Sequence, residues 1–144
     1  RPAEPSRRRR SRRRAKPDAL AAGQRFGDVL EAPQPAYLPG ATVSAVFAGA
    51  YPNNDLHRGG TYVRVEQQTG DGWTTVADDS DWSTTFRWRR AGRRASTIAV
   101  TWTVPDDTAA GRYRLRYDGD ALDRDGRISA FTGATEPFDI SPKR

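Results

Sequence analysis

At 144 residues, with a net charge of +6 and no cysteine, the chain holds one domain's worth of residues and little more. The missing cysteine excludes disulfides, thiolate catalysis and cysteine-based metal sites together, and it fits a cytosolic protein and a disulfide-free secreted one equally well. Residues 1–16 hold nine Lys or Arg against Glu4 alone, leaving 15 basic against 17 acidic residues beyond them, so the basic character belongs to the N-terminal arm and not to the domain.

Residues 1–25 combine Arg, Pro, Ser and Ala with almost no branched apolar side chain, which leaves too little surface to bury against the entropy of ordering. They are expected to form a disordered Arg-rich arm or linker. The run from Arg7 to Arg14 offers charge to phosphates or anionic head groups, but it has no aromatic residue for base stacking, so no specific nucleic-acid partner is expected. Ala19-Leu-Ala-Ala22 is far short of a signal-peptide core or a membrane span, so neither is expected in this chain. The first residue is Arg rather than Met, which points to a piece of a longer protein.

From Phe26 the pattern changes to short alternating strands broken by turn residues about every ten positions. Val43, Ala45 and Phe47 form one apolar face, and Thr61, Val63 and Val65 form the next. Gly70-Asp-Gly72 is a hairpin turn leading to Trp73, Thr75 and Ala77, taken as the apolar side of the following strand. Phe86 and Trp88 alternate with Arg87 and Arg89. Ile98, Val100, Trp102 and Val104 alternate with threonines and Ala99 in a strict period of two. Tyr113, Leu115 and Tyr117 alternate with Arg112, Arg114 and Arg116, which predicts an aromatic core face backed by a cationic wet face. Phe138 and Ile140 close the series. Helix is nearly excluded, because no window of twelve residues carries helical apolar spacing without Pro or Gly. The fold class is therefore all-β, an immunoglobulin-like antiparallel β-sandwich over residues 26–144. The run Pro105-Asp-Asp-Thr-Ala-Ala-Gly-Arg-Tyr113 matches the tyrosine corner of such sandwiches.

Three constellations bear on chemistry. His57, the only histidine, stands in the polar loop Asn53-Asn-Asp-Leu-His-Arg-Gly-Gly60; one histidine cannot build the usual hydrolytic zinc sites, and no serine lies in a Gly-x-Ser-x-Gly elbow. Asp118 to Ser129 invites comparison with a calcium loop, yet Ala121 and Thr132 occupy the places of its first and last carboxylates, so an acidic hairpin loop is the simpler reading. Asp79, Asp81 and Thr84 are the best ligand set for a hard cation, with Asp78 as an alternate; the competing reading is a solvated acidic turn.

Six segments taken in order resemble one known family. They are Phe26-Gly-Asp-Val-Leu30, Phe47-Ala-Gly-Ala-Tyr-Pro-Asn-Asn-Asp55, Asp78-Asp-Ser-Asp-Trp-Ser-Thr-Thr-Phe-Arg-Trp-Arg-Arg90, Thr101-Trp-Thr-Val-Pro105, Gly111-Arg-Tyr-Arg-Leu-Arg-Tyr117 and Phe131-Thr-Gly-Ala-Thr135. Together they resemble the C-terminal domain of the neutral, non-lysosomal ceramidases over about residues 24 to 140, with nothing similar upstream of Phe26. The resemblance implies a non-catalytic, stabilising domain whose parent hydrolyses the amide of ceramide to sphingosine and fatty acid. It implies zinc ligands and nucleophile in an N-terminal catalytic domain, so no residue here inherits a catalytic role. It also implies a structural Ca2+ or Mg2+ near the domain junction, which favours Asp79, Asp81 and Thr84, and a secreted or extracellular parent. The expected partner is that catalytic domain, met through a face made of Phe26 to Leu30 and the Asp79 to Thr84 turn, with a membrane surface as a further contact. The competing class is a free-standing module that binds a lipid surface or polyanion through its loops or arginines.

Overall fold

The computed structural model describes residues 17–52 and 62–143. Every regular element among them is a strand: β1 (Val29–Glu31), β2 (Ala36–Tyr37), β3 (Thr42–Gly49), β4 (Val63–Thr69), β5 (Gly72–Asp78), β6 (Thr84–Arg90), β7 (Ser96–Thr103), β8 (Gly111–Leu122), β9 (Ile128–Ala134) and β10 (Phe138–Ile140). They form two sheets, one in the order β1-β3-β7-β6, the other in the order β2-β10-β8-β4-β5 with β9 also paired to β8. All pairings are antiparallel except β2 with β10. This is the immunoglobulin arrangement, with four strands in one sheet and six in the other.

The period-two alternation turns every second side chain of β3, β7, β4 and β8 toward the space between the sheets. Val43, Phe47, Ile98, Val100, Val63, Val65 and Leu115 are fully buried there. Burial of a Val, Leu, Ile or Phe side chain stabilises by about 1.5–3 kcal/mol, so these positions carry most of the driving force. Aromatic rings fill the interior: Trp102 lies 5.4 Å from Tyr113, and Tyr117 lies 5.6 Å from Phe47 and 5.5 Å from Phe131. Burial pushes the Tyr117 hydroxyl well above the usual tyrosine range although it accepts a hydrogen bond from Ala50 N. The tyrosine corner is present, with Tyr113 Oη donating to Ala109 O at 2.6 Å.

Two departures from simple alternation have local causes. Between β4 and β5 the register shifts: Val65 faces Ala77 but Glu66 faces Thr75, so Val76 is an extra residue. This bulge reverses the side-chain parity of β5. Ala77 therefore packs on the core, while Trp73, expected on the same apolar side, stands on the outer face with the guanidinium of Arg114 4.2 Å from its ring centroid. Second, Gly27 and Gly133 touch backbone to backbone where β1 begins beside β9, and a Cβ at Gly133 would lie 2.0 Å from Gly27 O. The turn at Gly70-Asp71 has its positive φ of 61° at Gly70, as the first central position of a type II′ hairpin requires.

Of the arm expected over residues 1–25, residues 1–16 lie outside the described residues, but Asp18 and Ala19 are bonded to the sandwich. Asp18 is the latch. Its N donates to Leu122 O, its carboxylate accepts from Tyr51 N and Leu122 N, and Ala19 bridges in parallel to Ala95.

Candidate functional site

The arginines do not form one patch. Arg87 and Arg89 project from β6 on the outside of the first sheet, whereas Arg112, Arg114 and Arg116 project from β8 on the outside of the second. Those on β8 are also matched by carboxylates: Arg114 and Arg116 both reach the buried Glu66, at 2.7 and 3.5 Å, Arg116 reaches Asp118 at 3.1 Å, and Arg112 reaches Asp139 at 3.8 Å. Charge that is paired on the sheet is not available to an outside polyanion.

The other sequence candidates separate just as clearly. His57 and the Asn53 to Asp55 segment fall outside the described residues. The acidic run after Asp118 is split: Asp118 and the buried Asp120 are strand residues of β8, and Asp123 closes the β8–β9 hairpin by accepting from Asp125 N and Arg127 N. It is the hairpin loop of the simpler reading. Phe26 to Leu30 and the Asp79 to Thr84 turn were expected to share a docking face. They stand at opposite edges of the sandwich, since β1 and β6 are the two ends of the first sheet.

What remains is the connection between β5 and β6, where the chain crosses from one sheet to the other. Residues 79–83 are held by their own polar groups. Asp78 Oδ1 accepts from Ser80 N at 2.9 Å and from Ser80 Oγ, and these bonds, from the Ser80 side chain first, hold the Asp78 carboxyl below the usual carboxylate range. Asp81 Oδ2 accepts from Asp78 N at 2.7 Å, and Thr84 Oγ1 donates to the carbonyls of Asp78 and Asp81. Asp79 turns the other way and accepts from Tyr62 N at 2.9 Å. The structure thus brings Asp78, Asp81 and Thr84 into one turn, with Asp79 anchored on the start of β4.

These oxygens are the hard donors that Ca2+ and Mg2+ prefer, and each carboxylate has one oxygen outside the bonds just named. Among the described residues no three His, Cys, Asp or Glu side chains converge on one point, so these side chains alone would fill only part of a shell.

The same turn carries an exposed aromatic side chain. Trp82, at its tip, is 80% exposed, and Val76, pushed out by the β5 bulge, is 45% exposed. Between them and the end of the core lies a cleft of about 300 Å3, lined by Trp82, Val76, Trp102, Pro105, Tyr113 and Asp107. Trp82 could have been suspected, since it alone of the four tryptophans stands outside any alternating run, inside Asp-Asp-Ser-Asp-Trp-Ser. Asp18 had no such signal.

Comparison with known proteins decides the family. The family model described as "Neutral/alkaline non-lysosomal ceramidase, C-terminal" matches residues 3–140. The chain belongs to this family. The match also corrects the expectation that nothing upstream of Phe26 is family-like, because it begins in the basic arm. A neutral ceramidase of Mycobacterium tuberculosis is 48% identical over 115 residues, covering 80% of this chain and 18% of the relative. One from Oryza sativa is 41% identical over 85% of this chain and 16% of its own length. The crystal structure of the Pseudomonas aeruginosa neutral ceramidase superimposes with a TM-score of 0.84 at 35% identity, over 89% of this chain and 21% of that one. The chain spans about a fifth of the length of the relatives it matches.

Proposed function

We propose that this domain is the non-catalytic, stabilising C-terminal domain of a neutral ceramidase. The parent enzyme hydrolyses the N-acyl amide of ceramide to sphingosine and a fatty acid, with zinc held by a catalytic domain elsewhere in the same polypeptide. The observation that carries this reading is the fit of four-fifths of the chain to only 18% of a neutral ceramidase. The local chemistry agrees. Amide hydrolysis needs an activated nucleophile or a metal-bound water, and the single histidine of the chain, His57, cannot by itself build the usual hydrolytic zinc site. A structural Ca2+ or Mg2+ shared across the domain junction would use Asp79 and Asp81, with Thr84 or Asp78 beside them, and would neutralise carboxylates brought against a second surface. We place the parent outside the cell on the family resemblance alone, since the absence of cysteine fits that location and the cytosol equally well. A free-standing module for a lipid surface or polyanion is disfavoured by the internal pairing of the β8 arginines.

The test is ceramide hydrolysis by the 144-residue chain and by the polypeptide that joins it to a neutral ceramidase catalytic domain. The chain alone should show no turnover with zinc and calcium present, and removal of this domain from the joined polypeptide should lower its melting temperature and activity. Chelator-sensitive turnover by the 144-residue chain, absent from a mock preparation, would overturn the reading.

A further inference from the structure

We propose that the cavity beside the N-terminal segment is a binding site for a single-chain amphiphile with an anionic head, a carboxylate or a phosphate. The cavity lies where Asp18 and Ala19 strap the end of β8 to the loop between β6 and β7, with Asp18 N bonded to Leu122 O and Ala19 N to Arg94 O. Its volume of about 550 Å3 falls within the roughly 300–1,000 Å3 of small-molecule sites. Leu20, Phe26, Ala121, Leu122, Ala130 and Phe131 supply its apolar lining, and the rings of Phe26 and Phe131 lie 5.2 Å apart. A lining of this kind favours an occupant whose hydrocarbon it can take out of water.

Charge sets the head group. Arg94 and Arg124 line the same cavity, and Arg94 also lines an adjoining one of about 600 Å3 together with Arg90 and Arg93. None of these four arginines makes an ion pair with a described carboxylate, in contrast to Arg114 and Arg116 on β8. The two carboxylates at the cavity are engaged by main-chain amides: Asp18 accepts from Tyr51 N and Leu122 N, and Asp123 accepts from Asp125 N and Arg127 N. Arg94 also has a φ of 60°, alone among the described non-glycine residues in being positive, a conformation that persists where the surrounding structure imposes it and that clusters at ligand sites. A guanidinium presents paired N–H donors that match a carboxylate or a phosphate. The residues preceding Pro17 do not answer this description, because residues 1–16 carry nine basic side chains against Glu4, the same sign as the four arginines. The occupant is one molecule in a cavity, which differs from a bilayer or polyanion laid on a sheet. A fatty-acid anion, a product of the parent reaction proposed above, is of this class, although the cavity is a property of this domain and does not depend on that reading.

The experiment titrates the 144-residue chain with decanoate, decyl phosphate, decanol and decylammonium, each below its micelle-forming concentration, by isothermal calorimetry. Decanoate or decyl phosphate should bind saturably at one molecule per chain, about tenfold or more tighter than decanol and decylammonium, and the tighter anion identifies the head group. Arg94→Glu and Arg124→Glu should each weaken that anion by about tenfold or more, and Ala130→Trp, which enlarges a lining side chain from an exposed position on β9, should abolish binding. Arg87→Glu, the same charge change on the outside of β6, should leave binding unchanged. Melting of each variant checks its fold, and amide NMR shifts of the unaltered chain give a second reading, expected to be largest at Leu20, Ala121 and Ala130. Saturation by neither anion would overturn the proposal, as would decanol binding as tightly as the anions. Equal weakening by Arg87→Glu and Arg94→Glu would leave only bulk charge and overturn it too. Retained binding by Ala130→Trp, or NMR shifts centred on other residues, would place the ligand elsewhere and have the same consequence.

Discussion

Trp102 and Trp82 are twenty positions apart and lie on either side of the same cleft, yet one is 2% exposed and the other 80%. Trp102 sits near the end of β7, a strand paired on both sides, against Val43 of β3 and Thr84 of β6, and its ring meets Tyr113 and Phe138. Trp82 sits on a turn that hydrogen-bonds to itself and offers the ring nothing to pack on. The same residue type therefore serves cohesion in one place and presents a surface in the other, and what separates them is whether a second sheet lies opposite. Trp88 and Trp73 fall between. Trp88, on the apolar side of the Phe86–Trp88 alternation, packs on the core but is only partly buried, with Nε1 donating to Ser96 Oγ at 2.8 Å and Tyr51 5.1 Å from its ring. Trp73 is outside the second sheet, under Arg114.

The comparison is broken most directly by truncating its buried member. Trp102→Ala should destabilise the 144-residue chain by about 3–5 kcal/mol, a large part of the total for a domain of this size, and Trp88→Ala by less. An unchanged denaturation midpoint for Trp102→Ala would show that the two sheets do not close over it. Next in size is Gly133→Ala, which forces a methyl group into the backbone of Gly27 and should cost about 1–3 kcal/mol by moving the start of β1. Amide exchange is the sharper readout there, since protection should fall first at Gly27 and Ala48, whose amides bond Ala48 O and Asp28 O. Trp73→Ala should lose about 0.5–1 kcal/mol, the scale of one exposed cation–π contact, and Arg114→Ala in the same background should show coupling to it in a double-mutant cycle. The smallest effect concerns pH. Because the folded carboxyl of Asp78 titrates below its ordinary value of 3.8, its contribution to stability is present above that value and lost as pH falls through the lower folded one. Ser80→Ala should move the Asp78 midpoint, followed by carbonyl NMR, back up toward 3.8.

The positions of β3 to β8 and of β10, the core of β3, β7 and β8, the hairpin at Gly70 and the tyrosine corner were legible in the sequence, because each is a local rule: alternation of side chains, a glycine where φ must be positive, a tyrosine at a fixed offset; β1, β2 and β9 were not foreseen. Non-local features were not legible. The bulge at Val76 left no mark in a run that reads Trp-Thr-Thr-Val-Ala, so Trp73 and Thr75 were placed on the wrong side of β5. The cation candidates Asp79, Asp81 and Thr84 could be named from residue type, but which oxygens converge depends on Asp79 turning to Tyr62 while Asp81 turns to Asp78.

Alone, then, the sequence determined the class of the fold, most of the residues of its interior and the family, since these follow from periodicities and ordered segments that survive without coordinates. Only the tertiary structure decided that Asp18 latches the N-terminal segment to β8, that the arginines are divided between two outer faces, and that Phe26 and Asp79 stand at opposite edges. Each of those depends on which strands become neighbours and where a sheet ends. That is a consequence of long-range pairing, about which the local spacing of residues along the chain carries no information.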